Sequence, residues 1–282
     1  MSLKYGTNYH SHCQYCDGRA PMEEFVKAAI EAGFSSYGIS SHAPLPAYVG
    51  FSKVLQWECV DAYLAEIASL KRKYQSQIEV YASMEIDYID EDHNPANDYF
   101  QSLDLDYSIG SVHFIKVGPQ EVFDADTRPE SFIKSLLLYY DNDLRRLVCD
   151  YFDAKMRMVA LGGFDFVGHA DKISMNASRV EPGITQKVWY KRKVQEYFSF
   201  IAQRGMMLEL NTKAYDSSGY LFPNAQNLRM LCQMGIPLVV NSDSHRPELI
   251  NSGRMASIEL LREVGYKAIM EFHNNQWHEQ EI

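Results

Sequence analysis

The chain has 282 residues, 46% hydrophobic and 23% charged, a composition typical of a globular protein. Acidic residues outnumber lysines and arginines by 37 to 27, so the formal net charge is −10 and the surface field opposes binding to a nucleic-acid backbone. No apolar run reaches the roughly 20 residues that span a bilayer. These features exclude a membrane-spanning protein and argue against a nucleic-acid partner.

The amino terminus has no basic stretch followed by an apolar segment, so we predict no secretory signal and expect a cytoplasmic location. The five cysteines are odd in number and scattered, which favours reduced thiols over a disulfide framework. No linker, repeat or low-complexity tract interrupts the sequence. Residues 1–282 are therefore interpreted as a single domain.

Short β-rich runs alternate with longer segments of helical spacing, the pattern of parallel βα units. The predicted strands are Tyr5–Tyr9, Ser36–Ser40, Glu79–Met84, Tyr107–Val112, Phe164–Gly168, Met206–Leu210, Pro237–Val240 and, more weakly, Lys267–Phe272. The predicted helices are Pro21–Ala32, Leu55–Tyr74, Gln186–Arg204, Asn224–Met234 and Pro247–Val264. The segment Glu130–Ala160 also has helical spacing, but its length predicts a kink or a split. We interpret residues 128–160 as a helical insertion that could cover a site.

Residue types that bind metals stand directly after most of the predicted strands. They are His10, His12, His42, Glu85, His113, His169, Asp243 and His245. In a parallel α/β barrel the carboxyl ends of all strands open onto one face, so these side chains would converge. Imidazoles with carboxylates suit a borderline divalent ion such as zinc, manganese or iron, and the lack of a thiolate set argues against a structural zinc cage. The sequence therefore predicts a hydrolytic metal site.

Seven motifs occur in order along the chain. They are His10-Ser-His12-Cys-Gln-Tyr-Cys-Asp17-Gly18, Gly38-Ile-Ser-Ser-His42-Ala-Pro44, Glu85-Ile-Asp87-Tyr88, Gly110-Ser-Val-His113-Phe114, Gly168-His169-Ala-Asp171, Glu209-Leu-Asn211-Thr212 and Ser242-Asp243-Ser-His245-Arg-Pro247. This ordered set resembles the PHP (polymerase and histidinol phosphatase) superfamily. The length and the run to Gly265-Tyr266 resemble its histidinol-phosphatase branch over nearly the whole chain.

The resemblance implies an α/β fold, a distorted TIM-like barrel of about seven strands, with a site for two to three divalent metal ions. By motif, one ion would be held by His10, His12, Glu85 and Asp243. Glu85 would bridge to a second ion held by His113 and His169. A third ion would be held by Asp17, His42 and His245.

The resemblance also implies a phosphomonoesterase that hydrolyses L-histidinol phosphate in histidine biosynthesis. A metal-bridging hydroxide would attack phosphorus, with Glu85, Asp243 and His245 as catalytic residues and Asp243, His245 or a metal-bound water as proton donor. Two alternatives stay open. One is a PHP phosphoesterase acting on another small phosphate ester or a phosphodiester, and the other is a metal-stabilised binding domain without catalysis.

Two positions depart from the family pattern. Ser41 stands where relatives commonly have Asp before the histidine, which removes a carboxylate that could orient His42. Lys213-Ala-Tyr-Asp216 stands where relatives often have Ser-Gly-Leu-Arg, so an arginine able to grip phosphate is missing. The candidate phosphate contacts are therefore Lys213, Arg246 and Lys172.

Overall fold

The computed structural model describes residues 6–282. The strands are β1 (Thr7–Asn8), β2 (Ser36–Ile39), β3 (Glu79–Ala82), β4 (Glu85–Asp87), β5 (Ile109–Ser111), β6 (Phe114–Gly118), β7 (Glu121–Asp124), β8 (Phe166–Val167), β9 (Met207–Asn211), β10 (Leu238–Asn241), β11 (Ala268–His273) and β12 (Gln276–Glu281). The helices are α1 (Met22–Glu31), α2 (Val60–Tyr74), α3 (Asp98–Gln101), α4 (Pro129–Tyr140), α5 (Leu144–Leu161), α6 (Ile173–Val180), α7 (Val188–Gln203), α8 (Tyr215–Ser218), α9 (Leu228–Gln233) and α10 (Arg254–Val264).

Two parallel sheets form the centre of the fold, in the orders β1-β2-β3 and β10-β9-β8-β5-β4. Only two residues separate β3 from β4, so together they act as one bent strand that pairs with β2 on one side and β5 on the other. A parallel bridge between Ser11 and Ser244 joins the ends of β1 and β10. Seven strands therefore surround a common interior, which confirms the predicted distorted TIM-like α/β barrel.

The long helical segment after residue 128 splits into α4 and α5, as its length predicted. Asp141 and Asn142 adopt left-handed conformations between the two helices, with φ of 50° and 64°. The Asp143 side chain then caps α5 by accepting a hydrogen bond from the Arg146 amide. Both helices contribute to the main hydrophobic core together with α6 and α7.

Several boundaries differ from the prediction. The segment Pro247–Val264 is not one helix, because Gly253 takes φ of +65° and α10 begins after it. The segment Asn224–Met234 opens as a 3-10 turn before α9. The β6–β7 hairpin was not predicted, and β11 pairs with an unpredicted partner, β12. The first predicted strand begins at Tyr5, outside the described residues.

Within residues 6–282, no helix combines the length and apolar character needed to cross a membrane.

Candidate metal centre and substrate cleft

The structure brings all nine predicted metal ligands together at the carboxyl ends of the strands. They form four overlapping groups in which one ligand atom from each residue lies within 4.8 Å of the others. The groups are His12, Asp17, His42 and His245; His10, Glu85 and His169; His10, His12 and Asp243; and His42, Glu85 and His113. The residues meet because parallel strands end on the same face of the barrel.

Glu85 lies at the centre of this cluster and is almost completely buried. Its Oε2 lies 3.2 Å from His10 Nε2 and 3.0 Å from His42 Nδ1. Its Oε1 lies 2.6 Å from His169 Nε2 and 3.6 Å from His113 Nε2. The two oxygens face different imidazole pairs, an arrangement suited to a carboxylate that bridges two ions.

Two further carboxylates, those of Asp243 and Asp17, extend the cluster toward the solvent. Asp243 Oδ1 lies 3.1 Å from His12 Nε2. On the other side of His12, Asp17 Oδ1 lies 3.1 Å from His245 Nε2 and 3.8 Å from His42 Nε2. The His12 and His245 rings stack with centroids 4.1 Å apart. Imidazole and carboxylate donors therefore form a continuous surface.

The backbone is bent to place two of these side chains. His169 has φ of 24° and Asp243 has φ of 48°, values that are uncommon outside glycine. Gly168 precedes His169, and a Cβ there would lie 2.6 Å from the Ser111 hydroxyl, which donates a hydrogen bond to Glu85 Oε1. The strand end therefore fits closely around the cluster.

Five buried polar atoms of the cluster residues make no hydrogen bond of normal geometry to any described residue. They are His10 Nε2, His12 Nε2, Asp17 Oδ1, Glu85 Oε2 and His169 Nδ1. An unpaired buried polar atom costs about 1–3 kcal/mol, so this many in one place indicate a missing partner. Imidazole nitrogens and carboxylate oxygens aimed at one another suit a divalent cation. The residues therefore fit divalent metal ions.

Electrostatics keep the carboxylates ionised. Burial opposes the charge of Glu85, but His10, His113 and other neighbouring histidines hold its pKa well below the ordinary value. Burial also opposes the charge of Asp243, and the Lys213 ammonium and nearby histidines outweigh it and lower the pKa. For His12, burial and two neighbouring histidines lower the pKa well below its ordinary value, so the ring is neutral and can donate a lone pair.

Two further carboxylates orient ligand histidines, and sequence reasoning gave them no role. Glu209 Oε1 lies 2.7 Å from His10 Nδ1, while Glu209 Oε2 accepts a hydrogen bond from the His169 amide at 2.8 Å. Asp87 accepts from His113 Nδ1 at 3.0 Å and from the His113 amide at 2.7 Å. Such partners fix the tautomer and the direction of a metal-binding imidazole.

Because position 41 is a serine and not an aspartate, His42 is oriented by a different residue, Glu85. The Ser41 hydroxyl lies 3.3 Å from Cys13 Sγ, whereas His42 Nδ1 faces Glu85. Cys13 and Cys16 are free thiols, which agrees with the interpretation of their Cys-x-x-Cys sequence as part of the loop. Gly18 closes this loop, because a Cβ there would lie 2.3 Å from the Cys13 amide nitrogen.

A cleft with about 500 Å³ of space, counting its open mouth, leads to the cluster. Lys213 lines it, with Nζ 3.2 Å from Asp243 Oδ1 and 3.4 Å from His245 Nε2. Arg246 lines a neighbouring open pocket that shares Lys213. Lys172 is buried against Asp126 at 3.2 Å and does not line the cleft. No residue of 128–160 lines the cleft, and a covering role for this segment stays a prediction.

The chain is similar to several known proteins over most of its length. A protein of Deinococcus radiodurans named "Probable histidinol-phosphatase" is 25% identical over 267 residues, covering 92% of this chain and 94% of that protein. A Listeria monocytogenes structure, assigned as the histidinol phosphatase hisK, has a TM-score of 0.80 at 21% identity and covers 89% of this chain and 99% of its own. A Lactococcus lactis histidinol phosphate phosphatase, complexed with zinc, L-histidinol and phosphate, has a TM-score of 0.67 at 18% identity, with 96% and 98% covered.

Fold and site together define a barrel protein with a cluster of histidines and carboxylates, suited to divalent metal ions, at the carboxyl ends of its strands. The PHP domain family model matches residues 8–213, well over half of the sequence. The chain belongs to the PHP domain family.

Proposed function

We propose that this protein is a metal-dependent phosphomonoesterase that converts L-histidinol phosphate and water to L-histidinol and phosphate. The observation that carries the proposal is the buried group of histidines and carboxylates, in which several ligand atoms face one another without hydrogen bonds. Relatives named as histidinol phosphatases, which align over most of the chain, support the choice of substrate.

The nine clustered residues would hold up to three ions, as the motifs indicate. His10, His12, Glu85 and Asp243 would hold one ion, Glu85, His113 and His169 would hold a second, and Asp17, His42 and His245 would hold a third. The nitrogen and oxygen donors suit zinc, manganese or iron. When bound, such ions supply Lewis-acid stabilisation of phosphoryl oxygens and activation of water.

The chain's own groups position the ester and move protons. Lys213 reaches the cleft beside Asp243 and His245, and negative neighbours, Asp243 foremost, raise its pKa despite the opposing effect of burial. Its ammonium therefore stays charged and offsets negative charge on the phosphoryl group, in place of the missing arginine. Asp243 is held as a carboxylate, and its Oδ1 lies 3.5 Å from Nδ1 of His245, whose ring is placed to pass a proton to the leaving alcohol.

We also interpret residues 1–282 as one domain, in which α4 and α5 form a helical insertion on the outside of the barrel. Their buried faces belong to the main core, and they support the strand ends from behind. The buried Lys155 of α5 illustrates this support, because its Nζ donates to the Gly168 carbonyl at 2.9 Å.

The test compares two esters on one zinc- or manganese-replete preparation. We expect kcat/KM for phosphate release from L-histidinol phosphate to exceed that for phenyl phosphate by at least about 100-fold, because the site must bind the histidinol part to gain that difference. Comparable or weaker activity on L-histidinol phosphate contradicts the proposed substrate. The protein would then be a phosphoesterase that acts on another ester. No phosphate release from either ester contradicts the enzyme assignment.

A further inference from the structure

The cleft beside the metal cluster has walls of different chemistry. On one side, Phe51, Val54 and Phe114 present apolar surface, with the Phe51 and Phe114 rings 5.7 Å apart. On the same cleft, Asp124 and Asp126 contribute carboxylates from the end of the β6–β7 hairpin. None of these five residues belongs to the predicted metal ligands.

The acidic end of the hairpin is held in a fixed position next to the cluster. The amide of Ala125 donates to the carbonyl of the ligand His113 at 2.8 Å, so Asp124 and Asp126 flank a residue tied to the centre. Asn176 of α6 donates to the carbonyls of Ala125 and Thr127 at 3.2 Å and 2.9 Å. The carboxylates are therefore preorganised and do not depend on a mobile loop.

Within residues 6–282, Asp126 is paired with a cationic side chain, whereas Asp124 is not. Asp126 pairs with Lys172 at 3.2 Å, and burial is outweighed by Lys172 and Lys213, which lower its pKa. Asp124 forms no ion pair with any described residue and accepts one hydrogen bond, from the Asp126 amide at 2.9 Å. Burial and the charge of Asp126 raise the pKa of Asp124 to about 6. A cation in the cleft would relieve this unfavourable charge.

We infer that Asp124 and the apolar wall form a subsite for a cationic, flat organic group carried by the alcohol part of the ester. The inference rests on the proposed function, because it places the phosphate at Lys213 and the metal ligands. Negative charge at Asp124 then faces an ammonium, while Phe51, Val54 and Phe114 cover a ring. L-Histidinol has both features, a primary amine and an imidazole. A neutral alkyl or aryl phosphate leaves Asp124 unpaired and gains nothing from it.

The experiment uses the metal-replete full chain and the variant Asp124→Asn, with Glu121→Gln as the matched control. Glu121 is exposed on the same strand and does not line the cleft. We measure L-histidinol binding by titration calorimetry, kcat and KM for L-histidinol phosphate, and kcat/KM for 3-aminopropyl phosphate against propyl phosphate. Circular dichroism and bound metal per chain are measured on each protein.

For Asp124→Asn we expect the Kd of L-histidinol to rise at least about tenfold, the size of one lost charge-assisted contact. The KM for L-histidinol phosphate rises to match, kcat changes little, and the preference for aminopropyl over propyl phosphate disappears. Metal content stays that of the native protein, and Glu121→Gln behaves as native in every measurement.

Three results overturn the subsite. They are unchanged L-histidinol affinity in Asp124→Asn, equal losses on the amine-bearing and amine-free esters, and loss of bound metal, which would make Asp124 part of the metal centre. Failure of the proposed function is seen separately. The native protein could fail to hydrolyse L-histidinol phosphate and still prefer 3-aminopropyl phosphate to propyl phosphate, with Asp124→Asn abolishing that preference. This result would support the subsite and contradict the proposed substrate. If no ester is hydrolysed, the L-histidinol titrations alone decide.

Discussion

Two layers of the barrel interior contrast in how their polar atoms are satisfied. Toward the amino ends of the strands, aromatic rings pack against one another in edge-to-face, tilted and stacked pairs with centroids 4.9–6.5 Å apart. They belong to Tyr9, Tyr107, Phe166, Phe272 and Trp277. Their polar atoms are paired. The Tyr107 hydroxyl donates to the Tyr9 carbonyl at 2.5 Å, and Trp277 Nε1 donates to Asp165 at 2.9 Å.

The layer at the carboxyl ends of the barrel strands has the opposite character. His10 and His12 leave buried nitrogens unpaired, and Glu85 is surrounded by imidazoles. Burying such groups without a partner destabilises a fold, whereas the aromatic layer stabilises it. The aromatic layer therefore holds the barrel together, whereas the polar layer is arranged to bind ligands. Substitutions in the two layers should therefore separate function from stability.

The largest effect is expected from Asp243→Asn in the polar layer. The substitution keeps the shape but removes a charge that faces His12, His10 and Lys213. We expect kcat/KM to fall by about 10³-fold, several kcal/mol of lost stabilisation, together with a loss of bound metal. Steady-state kinetics and elemental analysis of the same preparation measure both. If hydrolysis and metal content both survive unchanged, Asp243 has no role in the centre.

The next largest effect is expected from Glu209→Gln, behind the polar layer. An amide in place of the carboxylate weakens the contact that fixes His10 Nδ1 and the His169 amide. We expect metal affinity to fall by about 10–100-fold, as for other groups that orient a ligand histidine. Competition with a chelator of known affinity measures the change. Native metal affinity would show that Glu209 only supports packing.

In the aromatic layer, Gly38→Ala should affect stability and spare the chemistry. A Cβ at position 38 would lie 1.8 Å from the Tyr107 hydroxyl oxygen, so the tyrosine and its hydrogen bond to Tyr9 must shift. We expect the free energy of unfolding to fall by about 1–3 kcal/mol, as for other overpacked cores. Urea denaturation measures the loss, and kcat of the folded variant should stay within twofold of native. A tenfold loss of kcat with native stability would reverse the roles of the two layers.

The smallest effect is a gain in stability from Asp124→Asn that depends on pH. The pKa of Asp124 is raised to about 6 in the folded state by burial and Asp126, so its stabilising contribution is present below about pH 4 and is lost as the pH rises through 6. Above pH 6 the native carboxylate opposes folding and the amide does not. We expect the variant to be more stable than native by about 1 kcal/mol at pH 8, with no difference at pH 4. Equal stability at both values contradicts the unfavourable charge of Asp124.

Much of the polar layer could be predicted from the sequence, because its ligands follow the strands closely along the chain. His113 follows β5 and His169 follows β8 after one residue each, so a correct assignment of parallel strands was enough to place both on one face. The split between α4 and α5 was also predictable from length. Such features depend on the chain near each residue and on one rule of topology.

The orienting carboxylates needed contacts that the sequence does not state. Glu209 lies 199 residues from His10, and no local pattern links them. Asp87 had a signal, because alternate residues on a strand face the same side and Asp87 stands two residues after Glu85. The β6–β7 hairpin also had one, in the Gly118-Pro119 turn between two β-rich runs. Neither signal was sufficient to assign the acidic wall of the cleft.

If the unpaired atoms of the polar layer hold catalytic divalent ions, phosphate release must depend on bound metal. The most direct measurement strips the protein with a chelator, returns zinc or manganese stepwise, and follows bound metal per chain and phosphate release from L-histidinol phosphate together. We predict that phosphate release is absent in the stripped protein and rises in proportion to occupancy of the centre. Full phosphate release from protein with less than about one-tenth of an ion per chain would show that the polar layer does not hold catalytic ions.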